Sequence, residues 1–205
     1  MTIRIHSYLT KSSVEGPYAR FVIWVQGCSI RCQGCANKHM WNFNGGQELS
    51  VTEMCNIIKS QDEIEGVTFV GGEPFDQAKQ LAALACEVKK IGLGIVTFTG
   101  YHYEYLIDNG SQYTQSLIEH TDLLIDGPYL PDKQTTNLPW VGSRNQRLIH
   151  LSGRYRGFDF ATVQNKYEIR LNKDHSKIIF NGISDNKAMN NFWDGMRKRG
   201  FIREE

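Results

Sequence analysis

The feature that most constrains this chain is an alternation. Short apolar runs of strand character at residues 21–25, 66–70, 95–99 and 123–125 are separated by segments whose apolar residues recur at helical spacing. A helix that carries one apolar stripe must bury it, and a parallel sheet offers the face on which to do so. Such repetition predicts a parallel sheet with helices against it. The units are too few to close an eight-fold ring, so the expected fold is α/β, a partial, open (β/α) barrel over residues 1–151.

Local signals support the same reading. Residues 3–8 read as an opening strand. Ser50 and Glu53 have capping-box spacing ahead of Met54, Ile57 and Ile58. Asp76 is placed to cap a second helix, in which Leu81, Leu84, Ala85, Val88 and Ile91 share a face and Gly92 provides the stop. A helical stretch is expected over 103–120. A loop rich in Pro, Gly and Asn then spans 127–145 and leads to a strand at 148–151. The character changes at Ser152. Residues 167–171 and 177–180 flank an Asn-Lys-Asp-His-Ser turn and predict a β-hairpin. Residues 186–199 predict a helix that stops at Gly200, with Arg197, Lys198 and Arg199 complementing its C-terminus. The chain therefore divides into a first domain, 1–151, and a C-terminal extension of hairpin plus helix, 152–205.

Composition removes several function classes. A formal net charge of +1 gives no electrostatic reason to expect nucleic acid or a membrane surface as partner. Unbroken apolar runs such as 21–25 are far too short to span a bilayer. The N-terminus lacks the long apolar core of a signal peptide, and a cytoplasmic location is the expectation. In a reducing compartment, clustered cysteines imply a metal before they imply disulfides. Cys55 and Cys86 stand alone in helical segments and read as small packing residues.

The remaining three cysteines, Cys28, Cys32 and Cys35, lie on a loop after the buried strand 21–25, spaced C-x3-C-x2-C. Two chemistries fit. Three thiolates leave one iron of a cubane [4Fe-4S] cluster without a protein ligand, an open and reactive arrangement. Alternatively, His39 completes a closed Cys3His zinc site that only stabilises a fold. A second loop bears on the choice. Gly71-Gly72-Glu73-Pro74 follows the strand 66–70, at the sheet edge where α/β proteins build their sites, and two glycines let a ligand approach the backbone closely.

Taken together, these motifs resemble the radical S-adenosylmethionine enzymes. More narrowly, the chain resembles the small activases of a glycyl-radical enzyme, the anaerobic ribonucleotide reductase activating proteins. The resemblance also rests on Cys35-Ala36-Asn37-Lys38 with Trp41, on Thr99-Gly100-Tyr101, on Ile125-Asp126-Gly127-Pro128-Tyr129 and on Trp140-Val141-Gly142-Ser143-Arg144-Asn145-Gln146. It covers roughly residues 1–151. It implies that Cys28, Cys32 and Cys35 hold a [4Fe-4S] cluster whose open iron is chelated by the amino and carboxylate groups of S-adenosyl-L-methionine. It further implies that Gly71, Gly72 and Glu73 line the methionine end through backbone groups while Pro74 stiffens the loop. Thr99, Asp126 and Asn37 are placed to bond other parts of that ligand, or else to cap strands and shape a turn. Ser143, Arg144 and Asn145 form a candidate substrate-facing loop. Trp24 and Trp41 read as packing residues. The implied reaction is reductive cleavage to a 5′-deoxyadenosyl radical, which takes hydrogen from a glycine of the partner enzyme. A reductant such as flavodoxin or ferredoxin is implied as well.

Two departures bear on the target. Val141 stands where relatives carry an arginine, and the chain continues well past the last motif. The extension is either a docking element or a cap on the sheet. A radical enzyme acting directly on a peptide or small molecule is the alternative within the class, and a zinc-stabilised binding module is the alternative outside it.

Overall fold

The computed structural model describes residues 1–163, 165–171, 178–183 and 186–200, without the side chains of 171 and 186–189. Its main sheet has seven strands in the spatial order β3-β1-β2-β4-β5-β6-β7. These are β1 (Thr2–Ser12), β2 (Arg20–Val25), β3 (Gln47–Ser50), β4 (Gly66–Gly71), β5 (Gly94–Phe98), β6 (Leu123–Asp126) and β7 (Arg147–His150). Neighbours β2, β4, β5 and β6 run parallel. The edges β3 and β7 lie at opposite ends of the order, so the expected α/β sheet forms and stays open.

Only these four central strands obey the parallel rule. β1 is antiparallel to β2 because the loop between them is far shorter than the dozen or more residues a parallel crossover needs. β7 is antiparallel to β6 and returns through the Pro- and Gly-containing loop. β3 carries no apolar alternation and was not expected. It forms by pairing with β1, from Thr2 opposite Ser50 to Ile5 opposite Gln47.

The helices follow the sequence signals with three corrections. Ser50 and Glu53 do form the capping box of α1 (Val51–Lys59). Helix α2 (Ala78–Lys90) starts without a side-chain cap, because the Asp76 carboxylate is engaged elsewhere. Its far end turns at Gly92, in the left-handed region at φ 82°, and Ile91 lies beyond the buried face, exposed. The stretch 103–120 is two helices, α3 (Tyr103–Asn109) and α4 (Gln112–His120). The break comes at Gly110, whose backbone is extended, and Ser111 then caps α4 by accepting from the Thr114 N–H. No helix among the described residues is long and apolar enough to cross a membrane.

Alternate strand residues point to opposite faces. Phe21, Ile23, Val67, Phe69, Ile95 and Leu124 face the helices, and with Met54, Ile58, Leu81, Leu84, Val88 and Leu117 they form the larger core. Val96, Leu123 and Ile125 face the other way. There they meet Trp140, Val141 and Tyr155, with Phe158, Phe160 and Val163 packed alongside. The first part of the extension thus lies over the second sheet face.

Tyr155 also enters a polar network at the strand starts. Arg20 is fully buried. Its guanidinium donates to Thr68 Oγ1, Glu65 Oε2, the Tyr155 hydroxyl and the carbonyls of Pro17, Val67 and Gly94. A buried charge is tolerated when it is paired and its donors are all used, as here.

Beyond this point the chain forms a separate two-stranded sheet, β8 (Tyr167–Leu171) with β9 (Ile178–Gly182), and then α5 (Asn186–Arg197). The predicted turn at 172–176 and Lys177 lie outside the described residues. The hairpin is tied to the end of β1 and the loop after it. The Ser13 N–H donates to Glu168, Arg170 to the Lys11 carbonyl, Asn181 to Ser12 Oγ and the Gly182 N–H to Glu15.

Candidate metal centre

β2 runs directly into the cysteine loop. Gly27, at φ 97°, turns the chain, and the place a side chain would take there is filled by the Phe43 ring. The loop closes on itself at its neck. The Gly27 N–H donates to the Met40 carbonyl (2.8 Å) and the Cys28 N–H to the Trp41 carbonyl (3.2 Å). Gln26 spans the same neck, donating to the carbonyls of His39 and Asn42. Inside the loop, the Asn37 N–H donates to Cys35 Sγ at 3.3 Å.

The Gly-Gly-Glu-Pro loop leaves the end of the adjacent strand, β4, and the two loops are joined backbone to backbone. The Gly72 N–H donates to the Val25 carbonyl and the Glu73 N–H to the Gly27 carbonyl, both at 2.8 Å. Gly71 adopts φ 108°, and a Cβ there would stand 2.7 Å from the Val25 nitrogen. A Cβ on Gly72 would collide with the Gly27 carbonyl oxygen. The glycine pair therefore permits close approach of the cysteine loop itself.

Glu73 extends this union to a third strand. Its buried carboxylate accepts from the Phe75 N–H and the Thr99 hydroxyl at one oxygen, and from the Gly100 N–H at the other, each at 2.9 Å. Burial pushes this carboxyl up to about 7, against the pull of its donors. Buried Pro74 opens the following 3-10 turn. Asp76, expected as a helix cap, instead accepts from the Ser29 N–H (2.7 Å) and hydroxyl (2.8 Å), and Ser29 also bonds the Tyr101 hydroxyl.

These loops surround one cavity of about 140 Å³ at the strand ends. Cys28, Cys32 and Cys35 line one side, and Gly71, Gly72, Glu73 and Thr99 line another. Pro74 is the direct neighbour of that wall. Other expected residues stand back from it. Asn37 reaches the cysteines through its backbone. The buried Asp126 carboxylate accepts from Arg147 and from the Tyr103 N–H. Ser143 is buried, with its hydroxyl accepting from the Leu130 N–H, and Asn145 donates to the Pro128 carbonyl. Arg144 is exposed.

Several lining residues were not singled out as ligand contacts, among them Ile30, Trp41, Tyr129 and Gln146. Trp41 reads as packing because an aromatic near a loop usually is. Gln146 stood inside a recognised motif but next to more conspicuous charged and amide side chains. It accepts from the Gly142 and Ser143 N–H groups and donates to the Gly127 carbonyl, pinning the far loop to the cavity rim.

Comparison with known proteins follows this geometry. The family described as "4Fe-4S single cluster domain" matches residues 14–149. The anaerobic ribonucleoside-triphosphate reductase-activating protein of Salmonella typhimurium is 31% identical over 73% of this chain and 99% of its own length. The chain belongs to this activating-protein family. The corresponding activating protein of Enterobacteria phage T4 is 32% identical over 66% of this chain and 86% of that protein. The pyruvate formate-lyase-activating enzyme of Clostridium pasteurianum is 34% identical over 60% of this chain and 50% of that enzyme. The solved structure of QueE from Escherichia coli overlaps 49% of this chain at 20% identity with a TM-score of 0.40, too slight a likeness to carry an argument.

For an activating protein of this family, the donor set suits a cluster better than a single ion. No three His, Cys, Asp or Glu side chains among the described residues converge closely enough to hold one metal ion. A zinc ion demands such convergence, whereas each thiolate of a cubane binds a different iron around a larger body. His39, the fourth ligand of the zinc alternative, packs its ring edge-on against His6 with centroids 4.8 Å apart. Burial raises the Cys28 and Cys32 thiols above their ordinary range, so taking up iron in this activating protein releases protons.

Proposed function

We propose that this chain is a radical S-adenosylmethionine activase that takes a hydrogen atom from a glycine of a glycyl-radical partner, anaerobic ribonucleotide reductase. The observation that carries the reading is the joint lining of one cavity by the three cysteines and the Gly71-Gly72-Glu73 backbone. Cys28, Cys32 and Cys35 would hold the cluster through their thiolates, and the cavity beside them would take the amino and carboxylate groups of the ligand. When bound, the cluster and S-adenosylmethionine supply a 5′-deoxyadenosyl radical able to abstract hydrogen from a glycine Cα.

The protein's own part is positioning. Gly71, Gly72 and Glu73 offer backbone groups to the methionine end, with Pro74 limiting the freedom of that loop. Glu73 fixes Thr99 and Gly100 at the next strand end, so three loops keep one geometry. Asp126 acts through its bonds to Arg147 and the Tyr103 N–H, while Asn37 shapes the chain after the third cysteine. Arg144 is the exposed residue of its loop and faces the partner, while Ser143 and Asn145 hold that loop in place through Leu130 and Pro128. A small reductant protein such as flavodoxin or ferredoxin delivers the electron, and a soluble location suits that exchange.

The test is anaerobic reconstitution, reduction, and addition of S-adenosylmethionine and the partner reductase. A glycyl-radical signal in electron paramagnetic resonance is the expected result. About four irons per chain should be bound. Alanine at Cys28, Cys32 or Cys35 should abolish iron binding, and alanine at Cys55 or Cys86 should not. Full iron content without 5′-deoxyadenosine formation would overturn the function while leaving the cluster in place.

A further inference from the structure

We propose that Tyr129 is a positioning residue whose ring, wedged between Gly34 and Gly142, lets the filling of the cysteine site set the loop that carries Arg144. The inference rests on the reading of Cys28, Cys32 and Cys35 as cluster ligands and of the Arg144 loop as the one that meets the partner. Tyr129 lines the cavity beside all three thiols. Gly34 lies between Cys32 and Cys35, turned at φ 79°. A Cβ there would stand 3.2 Å from Cε1 of the Tyr129 ring and 3.0 Å from Cγ of Pro131. A Cβ on Gly142 would stand 3.2 Å from Cδ2 and 3.3 Å from Cε2, on the ring's other edge. Each glycine lacks a side chain where the ring passes, which is what so close an approach needs. The Tyr129 backbone also acts on the site: burial raises the Cys32 thiol, and the Tyr129 N–H pulls it back toward thiolate.

Tyr129 belongs to a loop knit into one body. The Thr135 N–H donates to the Gly142 carbonyl (3.0 Å), the Arg144 N–H to the Lys133 carbonyl (2.8 Å) and the Leu130 N–H to Ser143 Oγ (3.2 Å). Gln146 closes the same body through Gly127, Gly142 and Ser143. A displacement of the Tyr129 ring is therefore carried to the exposed Arg144, because close-packed segments transmit strain. Binding iron through Cys32 and Cys35 fixes the chain on both sides of Gly34, and with it the wall on which one edge of the ring rests. Ordering one side of a packed contact lowers the entropy that the other side has still to lose. The ring, not the hydroxyl, makes both contacts.

The experiment is amide hydrogen exchange over residues 130–146, read before and after anaerobic reconstitution with iron and sulfide, without S-adenosylmethionine or partner. In wild type, exchange there should slow about tenfold on loading, within the usual range of coupling between two sites. Tyr129→Phe keeps the ring and should keep the slowing. Tyr129→Leu removes both edges and should lose it at equal iron content. Wild type with a full cluster and unchanged exchange would overturn the proposal, and so would Tyr129→Leu that slows as wild type does. Should Tyr129→Leu take up no iron, Gly142→Ala decides, since its methyl presses on the ring from the side away from the cysteines. A chelator should then remove iron faster than from wild type, and an equal rate would refute the wedge. Wild type that takes up no iron would refute the cluster reading itself, a failure distinct from a full cluster with unmoved exchange.

Discussion

Asp76 holds Ser29 at two points, accepting from its backbone N–H at 2.7 Å and from its hydroxyl at 2.8 Å. The carboxylate belongs to the turn after Gly-Gly-Glu-Pro, and the serine directly follows Cys28. One acidic residue therefore sets how far the first cysteine's loop can move from the loop beside it.

Asp76→Ala should loosen this loop without unfolding the chain. Hydrogen bonds to a charged acceptor are worth about 1.5–3 kcal/mol each when well shielded, and Ser29 is exposed, so about 1–2 kcal/mol in total is expected. Chelator-driven bleaching of the reconstituted cluster should speed up about tenfold, which corresponds to about 1.4 kcal/mol. An unchanged bleaching rate would show that the cysteines need no such tether.

Gly72→Val should damage both cofactor sites. Its Cβ would collide with the Gly27 carbonyl oxygen, one residue before Cys28, and the joint between the loops would have to open. Iron content and S-adenosylmethionine affinity should fall together. A variant with a full cluster and weakened ligand binding would place the side chain's effect in the cavity alone.

Glu73 predicts a pH dependence in the cluster-free protein. Its folded carboxyl is raised by burial to about 7 from an ordinary 4.5. The unfolded chain loses this proton first as pH rises, so the folded state binds more protons between those values. Stability contributed by the protonated group is complete below about 4.5 and declines by about 3 kcal/mol as pH passes to 7. Glu73→Gln should flatten that slope in thermal unfolding scans at pH 5 and pH 7.5. The amide must also turn an N–H toward one of the donors Phe75, Thr99 or Gly100, and S-adenosylmethionine cleavage should drop. An unaltered slope would locate the titration elsewhere.

Truncation separates the two parts of the extension. A chain ending at Leu151 loses Tyr155 from the Arg20–Glu65 network and uncovers Val96, Leu123 and Ile125. Removing one partner of a buried charge costs about 3–5 kcal/mol, here at the low end because Glu65 remains, and insoluble protein is expected. A chain ending at Lys166 keeps Tyr155, Phe158 and Phe160, and it should fold and bind its cluster. Its glycyl-radical yield then reports whether the hairpin and α5 serve the partner. A soluble, cluster-binding chain ending at Leu151 would deny Tyr155 its structural part.

The central sheet and the cavity were legible because both are written locally. Apolar runs such as Phe21 to Val25 mark strands whose two faces are covered, and a cysteine triplet marks its own loop. Partnerships across long sequence separations were not legible. Asp76 looks like a helix cap until Ser29, 47 residues away, competes for the same carboxylate. The strand at Gln47–Ser50 has no apolar pattern because pairing with β1 alone creates it. Asp126 was read as a ligand contact from its place at a strand end, and nothing nearby in sequence announces Arg147.

The Arg20 network sits where the parallel strands begin, and the cysteine cavity sits where they end. The buried charge that joins the strand starts is thus separated by the length of the strands from the loops that would hold the cluster. An empty cavity would leave that anchor in place, so the sheet would stand ready to receive the cluster.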